Sequence, residues 1–335
     1  MEFRLDKWEK NPILTPERNN EWEKEAVFNP GAWYEEGTFY LLYRAAGEVE
    51  DYRNCLGLAV SRDGFNFERV SSSPVFTPSE DGFDAGCVED PRIVKFGDTF
   101  YVTYAARAFP PGAFWRGERR KNLPADTPTW RENLTRSGLL SSKDLRHFER
   151  LGPITSDKVD DRDVVLFPEK IKGKYVMLHR PYEWVGERYG CKAPSIWLAY
   201  SEDLIHWEGD QLLIQPEFEW ESKKIGASTP PIRTEKGWLT LYHGVDRGGV
   251  YRVGVMLLDL EEPWKVIARS PHFIMEPEEE FEKKGYVDNV VFPCGNVVVE
   301  GKIFIYYGGA DSVCCVATTW LEDLISYVLE FQNKV

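Results

Sequence analysis

Short apolar segments rich in aromatic and β-branched residues recur along the chain, each beginning at or just after a glycine. Five of them share one pattern, and their starts lie roughly 60 to 75 residues apart. The segments are Gly37–Arg44, Asp98–Ala105 (preceded by Gly97), Gly173–Arg180, Gly237–Gly244 and Gly301–Gly308. This length and composition predict β-strands, because β-branched and aromatic side chains pack well on a pleated surface.

A second repeated element, Ser-x-Asp followed by an aromatic residue, comes after most of these segments. The copies are Ser61–Phe67, Ser142–Phe148, Ser201–Trp207 and a degenerate Leu258–Trp264. Ser and Asp side chains bond the local backbone, so the element predicts a turn. Five small sheets at a regular period predict an all-β fold, a five-bladed β-propeller formed by residues 1–335 as one domain. Two β-sandwiches would explain the strands but not the period.

Two segments depart from the repeat. Residues 107–136 form a long insertion rich in Pro, aromatic and basic residues, and loops of this length are often functional. Residues 318–333 predict a short C-terminal helix, with Thr319 and Glu322 as a capping box and an apolar stripe at helical spacing. We expect the stripe to pack on its own domain; a contact between subunits of a homo-oligomer is the alternative.

The composition of the chain excludes some classes of binding partner. The net charge of −14 argues against nucleic acid or an anionic membrane. Residues 1–7 do not resemble a signal peptide, no run of about 18 apolar residues exists, and six scattered cysteines lack zinc or redox spacing. We therefore expect a cytoplasmic protein with reduced thiols and no metal. Aromatic residues make up 14% of the chain, which fits a strand-rich core or sugar-stacking surfaces.

The repeat also predicts where polar side chains converge. Aligned on the first residue, the seventh positions of the five segments are Tyr43, Tyr104, His179, His243 and Tyr307. Eight to thirteen residues before the segments lie Asn29, Asp90, Arg162, Lys224 and Asp288. We interpret both sets as equivalent positions around the propeller axis, and the second as the rim of a funnel-shaped pocket, the usual form of a ligand site.

Charge is divided unequally around this rim. Asn29, Arg44 and Asp90 belong to the first two repeats, and Arg162, Arg180, Lys224 and His243 to the third and fourth. Planar guanidinium forks with an ammonium and an imidazole are suited to binding phosphate. The alternative for Arg162 is that it pairs with Asp161 and Asp163 and only holds a loop.

From about Asn11 to Asp311, the chain resembles the β-mannoside phosphorylases of glycoside hydrolase family 130. The segments that carry the resemblance are Phe28–Gly31, Glu89–Arg92, Arg162–Pro168 with Lys170, Met177–Pro181, Lys224–Ala227, Tyr242–Gly244, Asn289–Pro293 and Tyr306–Asp311. The resemblance implies a five-bladed propeller that cleaves β-mannosides with inorganic phosphate as co-substrate. It also implies inversion at the anomeric carbon, α-mannose 1-phosphate as product, and no cofactor.

The resemblance also implies residue roles. Asp90 matches the catalytic acid, which in this family is thought to protonate the leaving oxygen through the mannosyl 3-hydroxyl. Arg162, Arg180, Lys224 and His243 match phosphate-binding residues, and Asn29, Arg44 and Asp311 match residues that hold the mannosyl unit. We group Asp288 with these sugar-binding residues from its rim position. His179 and the 107–136 insertion depart from many relatives, and we expect both near the leaving-group side, which leaves the linkage (β-1,2 or β-1,4) and the acceptor open.

The choice of reaction depends on the basic residues. An inverting hydrolase needs a second carboxylate about 6.5–9.5 Å from the acid to activate water, whereas phosphate is already an anionic nucleophile. Basic residues across from Asp90 therefore favour phosphorolysis. The alternatives are a phosphate-independent β-mannosidase on the same propeller, and a sugar-binding propeller without catalysis, because the fold alone does not decide function.

Overall fold

The structure, a computed structural model, describes residues 3–112 and 132–332. Its strands form five antiparallel sheets, and this confirms the predicted five-bladed propeller. The first blade contains β2 (Ala26–Glu35), β3 (Thr38–Ala46), β4 (Asn54–Ser61) and β5 (Glu68–Arg69). The second contains β6 (Cys87–Phe96), β7 (Thr99–Arg107), β8 (Arg136–Ser142) and β9 (Phe148–Pro153). The third contains β10 (Asp161–Leu166), β11 (Tyr175–Pro181), β12 (Ile196–Ser201) and β13 (Trp207–Ile214).

The last two blades vary this plan. The fourth contains β14 (Lys224–Ala227), β15 (Ile232–Thr234), β16 (Gly237–Val245), β17 (Tyr251–Leu258) and β18 (Val266–Arg269). Both β14 and β15 pair with β16, because Pro230 and Pro231 interrupt the first strand of this blade and cannot donate to the ladder. The fifth blade contains β19 (Val291–Val299), β20 (Lys302–Gly309), β21 (Val313–Trp320) and, from the start of the chain, β1 (Asp6–Lys7). Pairing of β1 with β21 closes the ring.

The helices are short. Those among the described residues are α1 (Glu280–Lys283), α2 (Leu321–Leu329) and 3-10 turns at Glu187–Tyr189 and Glu219–Glu221. The predicted C-terminal helix is confirmed but begins later, because Thr319 and Trp320 still pair with β20. The predicted capping box is wrong, since Trp320 is the N-cap and makes no side-chain cap. The apolar stripe of α2 packs on the hydrophobic core between the fourth and fifth blades. It therefore packs on its own propeller, as expected.

The Ser-x-Asp elements form the predicted turns. Ser61 Oγ accepts hydrogen bonds from the backbone N–H groups of Asp63 and Gly64, and Asp63 Oδ1 accepts from Phe65 and Asn66. The second and third copies, at Ser142 and Ser201, repeat this arrangement. Each turn leads from the third strand of its blade to the fourth.

The hairpins between the first two strands of each blade fix the alignment of the repeats. Two residues lie between the paired positions in all five, as between Glu35 and Thr38 or between Thr234 and Gly237. Counted from the residue after this loop, the sixth positions are Tyr43, Tyr104, His179, Tyr242 and Tyr307. The sequence alignment is therefore wrong by one residue in the fourth blade, because Gly237 follows its loop whereas the other glycines lie inside theirs.

The ring of polar tips around the axis, predicted from these positions, is also wrong. Tyr43, Tyr104 and Tyr307 donate hydrogen bonds to the buried carboxylates of Glu23, Asp84 and Glu282 at 2.9, 3.0 and 2.7 Å. In each case a cation on the outermost strand binds the same carboxylate: Arg69, Arg150 and Lys7. Tyr242, Glu221 and Arg269 form the corresponding set in the fourth blade. These residues join the outer strand of a blade to its second strand, away from the pocket.

Loss of one such carboxylate should lower stability. We expect Glu221→Ala to reduce the free energy of unfolding by about 3 kcal/mol, because it leaves the guanidinium of Arg269 buried without its main partner. Thermal or urea unfolding measures the change. Glu219→Ala, an exposed carboxylate in the same turn, is the matched control and should have little effect. Equal effects of the two substitutions would contradict the assignment.

Three further findings concern the described part of the chain. No helix there is long and apolar enough to cross a membrane. Within residues 3–112 and 132–332, no group of three or more His, Cys, Asp or Glu side chains is placed to hold a metal ion. All six cysteines are buried and free.

Candidate active site

β-Bulges in the first strands of three blades aim polar side chains toward one pocket. The pairing shifts after Phe28, Glu89 and Arg162, which lie opposite the second strands of their blades. The next residues are Asn29, Asp90 and Asp163, with φ values of 47°, 52° and 59°. Asn and Asp tolerate this left-handed conformation better than most residues, and bulges commonly redirect side chains near active sites.

The five rim positions predicted as equivalent are not equivalent. In the first two blades the prediction identifies the bulge residue, but in the third that residue is Asp163, and Arg162 precedes it. Lys224 lies opposite Val245, two positions before Gly226, which lies opposite His243 as Phe28 does opposite Arg44. His243 therefore occupies the position of Arg44 and Arg180, not that of Tyr43. The repeated hairpins share one alignment, whereas the segments entering each blade differ in length.

Eight of the nine predicted site residues nevertheless line one pocket of about 220 Å³. They are Asn29, Arg44, Asp90, Arg162, Arg180, Lys224, His243 and Asp311. The structure does not bring Asp288 into the pocket: it is exposed, and its Oδ1 accepts from the backbone N–H of Gly285 at 3.2 Å. Its neighbours Val287 and Val290 line the pocket instead.

Asp90 is held on one wall by two donors. Its Oδ1 accepts hydrogen bonds from Asn29 Nδ2 at 2.8 Å and from Arg44 Nη1 at 3.0 Å. Arg44 also donates from Nη2 to Glu89 Oε1 at 2.8 Å, and Asn54 Nδ2 donates to the same oxygen at 2.9 Å. Hydrogen bonds and ion pairs therefore hold the carboxylates of Asp90 and Glu89 and the guanidinium of Arg44. The Asp90 carboxyl is fixed in orientation while it still lines the pocket.

A second carboxyl group, Asp311, shares this wall and has φ 51°. Burial is the main cause that raises its pKa, to about 7, and the charges of Asp90 and Glu89 act in the same direction, against Arg44. Near neutral pH this carboxyl is therefore divided between a protonated form that donates a hydrogen bond and an ionised form that accepts one.

This raised pKa predicts a pH-dependent stability change. Between the unfolded pKa of 3.8 and the folded value of about 7, the folded state binds more protons, so Asp311 lowers stability as pH rises through this window. We expect Asp311→Asn to raise Tm relative to the parent at pH 8 and much less at pH 4. Differential scanning calorimetry at both pH values measures this. A Tm difference independent of pH would contradict it, and exposed Asp288→Asn is the control.

The opposite wall is basic, and its cations have different partners. Arg162 donates from Nε and Nη2 to Asp160 at 2.8 and 2.5 Å, so its partner is Asp160 and not Asp161 or Asp163. Arg180 Nη2 lies 2.9 Å from Asp163 Oδ2. Burial alone would raise the pKa of Asp163, but Arg180, His243, Arg92 and Lys224 together hold it at about 2.

Two cations on this wall have unused capacity for an anion. Arg180 is 2% exposed, yet its Nε and Nη1 have no hydrogen-bond partner in the described part of the chain. The Lys224 ammonium lies 5.1 Å from the centre of the Tyr251 ring, and no ion pair of it is found among residues 3–112 and 132–332. Burial and the charges of Arg180 and Arg162 lower the pKa of Lys224 well below its usual value. An anion would satisfy both groups.

His243 completes the basic wall as a neutral ring. Burial lowers its pKa to about 3; Asp163 opposes this shift, and the neighbouring cations reinforce it. Its Nδ1 lies 3.3 Å from Ser228 Oγ, and its ring packs 4.6 Å from that of Phe292. A neutral imidazole can donate one hydrogen bond to an anion without adding charge.

Several contributors were missed or misplaced by sequence reasoning. Asp163, Arg107 and Tyr251 line the pocket, and the bulge shared with Asn29 and Asp90 is the signal that could have identified Asp163. His179, expected near the leaving-group side, does not line the pocket: its ring is buried between Asp161 and Asp210, at 2.8 and 3.2 Å. It occupies the position that Tyr43 has in the first blade.

The predicted insertion is described only in part. Arg107 and Pro111, at its start, line the pocket. Arg107 donates to the backbone carbonyl of Asn133 and lies 3.8 Å from Asp160, the partner of Arg162. Residues 113–131 lie outside the described residues, and with them most of the aromatic and basic side chains singled out from the sequence.

Known proteins resemble this chain over nearly its whole length. A family model described as β-1,4-mannooligosaccharide phosphorylase, glycoside hydrolase family 130, matches residues 4–330. A 1,2-β-oligomannan phosphorylase of Thermoanaerobacter sp. (strain X514) is 40% identical over 328 residues, 96% of this chain and 99% of the relative. A β-1,2-mannobiose phosphorylase of the same strain is also 40% identical, over 94% of this chain and 97% of the relative.

Solved structures agree with the sequence relatives. The β-1,2-mannobiose phosphorylase from Listeria innocua, in complex with β-1,2-mannobiose, superposes with a TM-score of 0.80 at 26% identity, covering 97% of this chain and 99% of that one. Both the model match and the curated relatives span nearly the whole chain. This chain belongs to glycoside hydrolase family 130.

Proposed function

We propose that the protein is an inverting β-mannoside phosphorylase. It cleaves β-linked manno-oligosaccharides with inorganic phosphate and releases α-mannose 1-phosphate and a shortened sugar. The observation that carries the proposal is the pairing, in one pocket, of a fixed carboxyl group, Asp90, with an unsatisfied cation cluster at Arg180 and Lys224. The relatives named as phosphorylases support it.

The roles follow from the two walls. Asp90 is the acid, and Asn29, Arg44 and Asp311 hold the mannosyl unit beside it. Arg162, Arg180, Lys224 and His243 bind phosphate. A phosphate oxygen attacks the anomeric carbon from the face opposite the leaving group and forms the new C–O bond as the glycosidic bond breaks. The proton from Asp90 passes to the leaving oxygen, directly or through the mannosyl 3-hydroxyl, so the shortened sugar leaves neutral.

The carboxylates present favour phosphorolysis over hydrolysis. The sequence predicted basic residues alone across from Asp90, but Asp163 also lies there. Its low pKa and ion pair with Arg180 make it a weak base for activating water, because a general base works best with a pKa near the operating pH. Asp311, with a pKa of about 7, lies on the same wall as Asp90, so the carboxylate across from Asp90 is Asp163, which is ion-paired within the anion site.

For the linkage we propose β-1,2. Two relatives at 40% identity and the structural neighbour from Listeria innocua are named for β-1,2-linked mannosides. The family model is described by the β-1,4 linkage, although relatives named for β-1,2-linked mannosides match the same chain. The family description therefore does not decide the linkage. Inorganic phosphate is the co-substrate, and the proposed reaction uses no cofactor.

A substrate panel tests the proposal. Purified protein is incubated with β-1,2- and β-1,4-mannobiose and the corresponding trioses, with and without phosphate, and sugar products are quantified by anion-exchange chromatography. We expect mannose 1-phosphate from the β-1,2 series only when phosphate is present. Preferential turnover of the β-1,4 series would overturn the linkage, and turnover independent of phosphate would overturn the reaction class.

We also propose a cytoplasmic location. The six buried thiols are suited to a reducing compartment, where disulfides are rare. Detection of the protein in the extracellular or periplasmic fraction of its host, with the cytoplasm intact, would contradict this.

A further inference from the structure

Asp163 lies within the basic wall, in contact with Arg180 and His243, two of the residues assigned to phosphate. It is 3% exposed. Its Oδ2 lies 2.9 Å from Arg180 Nη2 and 3.5 Å from His243 Nε2, and its Oδ1 lies 3.6 Å from Arg92 Nη2. One carboxylate thus contacts side chains from the second, third and fourth blades, and two of these side chains are proposed phosphate ligands.

Arg92 connects this carboxylate to the acid. It is 2% exposed, and it donates from Nη1 to the backbone carbonyl of Asp90 at 3.0 Å and from Nε to that of Ser228 at 2.8 Å. Ser228 Oγ contacts His243 Nδ1. The chain of contacts from Asp90 through Arg92 to Asp163 therefore spans both walls of the pocket.

The space around Asp163 is fitted closely to its carboxylate. A Cβ atom at Gly226 would lie 2.3 Å from Asp163 Oδ2 and 2.6 Å from His243 Cε1. Both distances are far below van der Waals contact, so glycine at 226 is what allows the carboxylate and the imidazole to approach each other. Gly226 lies on the first strand of the fourth blade. Its close fit to Asp163 is therefore an observation separate from the ion pair between Asp163 and Arg180.

We propose that Asp163 is the positioning residue of the phosphate site. Its carboxylate orients Arg180 and His243 from below, leaves Arg180 Nε and Nη1 directed at the nucleophile, and through Arg92 sets the distance between the phosphate site and Asp90. The inference rests on the proposed phosphorolysis. Asp163 acts through Arg180 and His243, the two partners assigned to phosphate, which makes it a positioning residue.

A simple electrostatic role would have the opposite effect on binding. A carboxylate near an anion site repels the anion, so neutralising it without any loss of orientation would tighten phosphate binding. The positioning role predicts weaker binding, because Arg180 and His243 lose the group that holds them. The direction of the change in phosphate affinity therefore separates the two roles.

Asp163→Asn is the main test, since asparagine has the same shape and tolerates the φ of 59°. We expect the phosphate Kd by calorimetry and the phosphate KM to rise about tenfold or more, the loss of one charged hydrogen bond. The mannoside KM at saturating phosphate should stay within about twofold, which corresponds to less than half a kcal/mol. Asp161→Asn, which removes a buried carboxylate from the same strand, is the matched control and should leave the phosphate Kd unchanged.

A pH profile adds a readout that a structural role alone would not move. The Asp163 carboxylate supports the protonated form of Lys224, so its loss should shift the alkaline limb of kcat/KM for phosphate to lower pH. The other groups that face Lys224 are Arg162, Arg180, Lys223, His243, Tyr251 and Asp311, and all of them are unchanged in the variant.

Gly226→Ala tests the same inference without altering a charge. Its methyl group must displace the Asp163 carboxylate or the His243 ring, and we expect the phosphate Kd to rise here too. Unchanged or tighter phosphate binding in both folded variants would overturn the positioning role while leaving the proposed function intact. A parent protein that binds no phosphate would overturn the proposed function, and this inference with it.

Discussion

Asp90→Asn is expected to lose nearly all phosphorolysis of β-mannobiose, with kcat reduced about 10³-fold or more, the scale of general acid catalysis. The amide has no proton to give at neutral pH, and the leaving sugar oxygen needs one. Asparagine keeps the shape and tolerates the φ of 52°, and its oxygen can still accept from Asn29 Nδ2. The phosphate Kd should change little, because the cation cluster lies on the other wall.

The nature of the leaving group provides the control. An aryl β-mannoside with an acidic phenol as leaving group needs little protonation, so Asp90→Asn should reduce its turnover far less than that of mannobiose. Steady-state kinetics on both substrates measure the ratio. Equal losses on the two substrates, or substantial residual activity on mannobiose, would contradict the role of Asp90 as acid.

Lys224→Met is expected to separate activity from stability. Removing the ammonium should raise the phosphate KM by about 10- to 100-fold, as for the loss of a hydrogen bond to a charged group. The same substitution relieves a buried cation whose pKa is lowered by burial, Arg180 and Arg162, so Tm should be unchanged or higher. Methionine is similar in length to lysine and places an uncharged group where the ammonium lies 5.1 Å from the centre of the Tyr251 ring.

Lys223 offers a matched control one residue away. Its side chain is exposed, and Lys223→Met should leave both the phosphate KM and Tm near the parent values. A fall in Tm for Lys224→Met together with an unchanged phosphate KM would show that Lys224 is structural and would remove it from the phosphate site.

The propeller could be predicted from sequence because its repeats are local. Each blade carries its own hairpin, and the first three carry a Ser-x-Asp turn; both features depend on neighbouring residues. Alignment on glycine failed only where the loop chemistry changed: Gly237 follows its two-residue loop, which moved His243 out of its true position opposite Gly226. His243 nevertheless lines the pocket, and the resemblance to the family also identifies it as a phosphate-binding residue.

The parts of the site that sequence missed depend on contacts between blades. Asp163 looked like a partner for Arg162, but the bulge turns it toward Arg180, and Arg162 pairs with Asp160 instead. The contact between Arg92 and Asp163 joins two blades, and the spacing of these residues along the sequence does not predict it. The position of Asp288 before a strand predicts a place on the pocket rim, but its carboxylate instead accepts a hydrogen bond from the backbone of Gly285 in a turn.

The most direct test of the central claim is phosphorus NMR of a single reaction. Protein, β-1,2-mannobiose and inorganic phosphate are mixed, and the phosphate signal is followed with the release of free sugar. We expect inorganic phosphate to be replaced by α-mannose 1-phosphate, one molecule for each glycosidic bond cleaved. Release of two free mannose molecules per bond, with the inorganic phosphate signal unchanged, would contradict phosphorolysis.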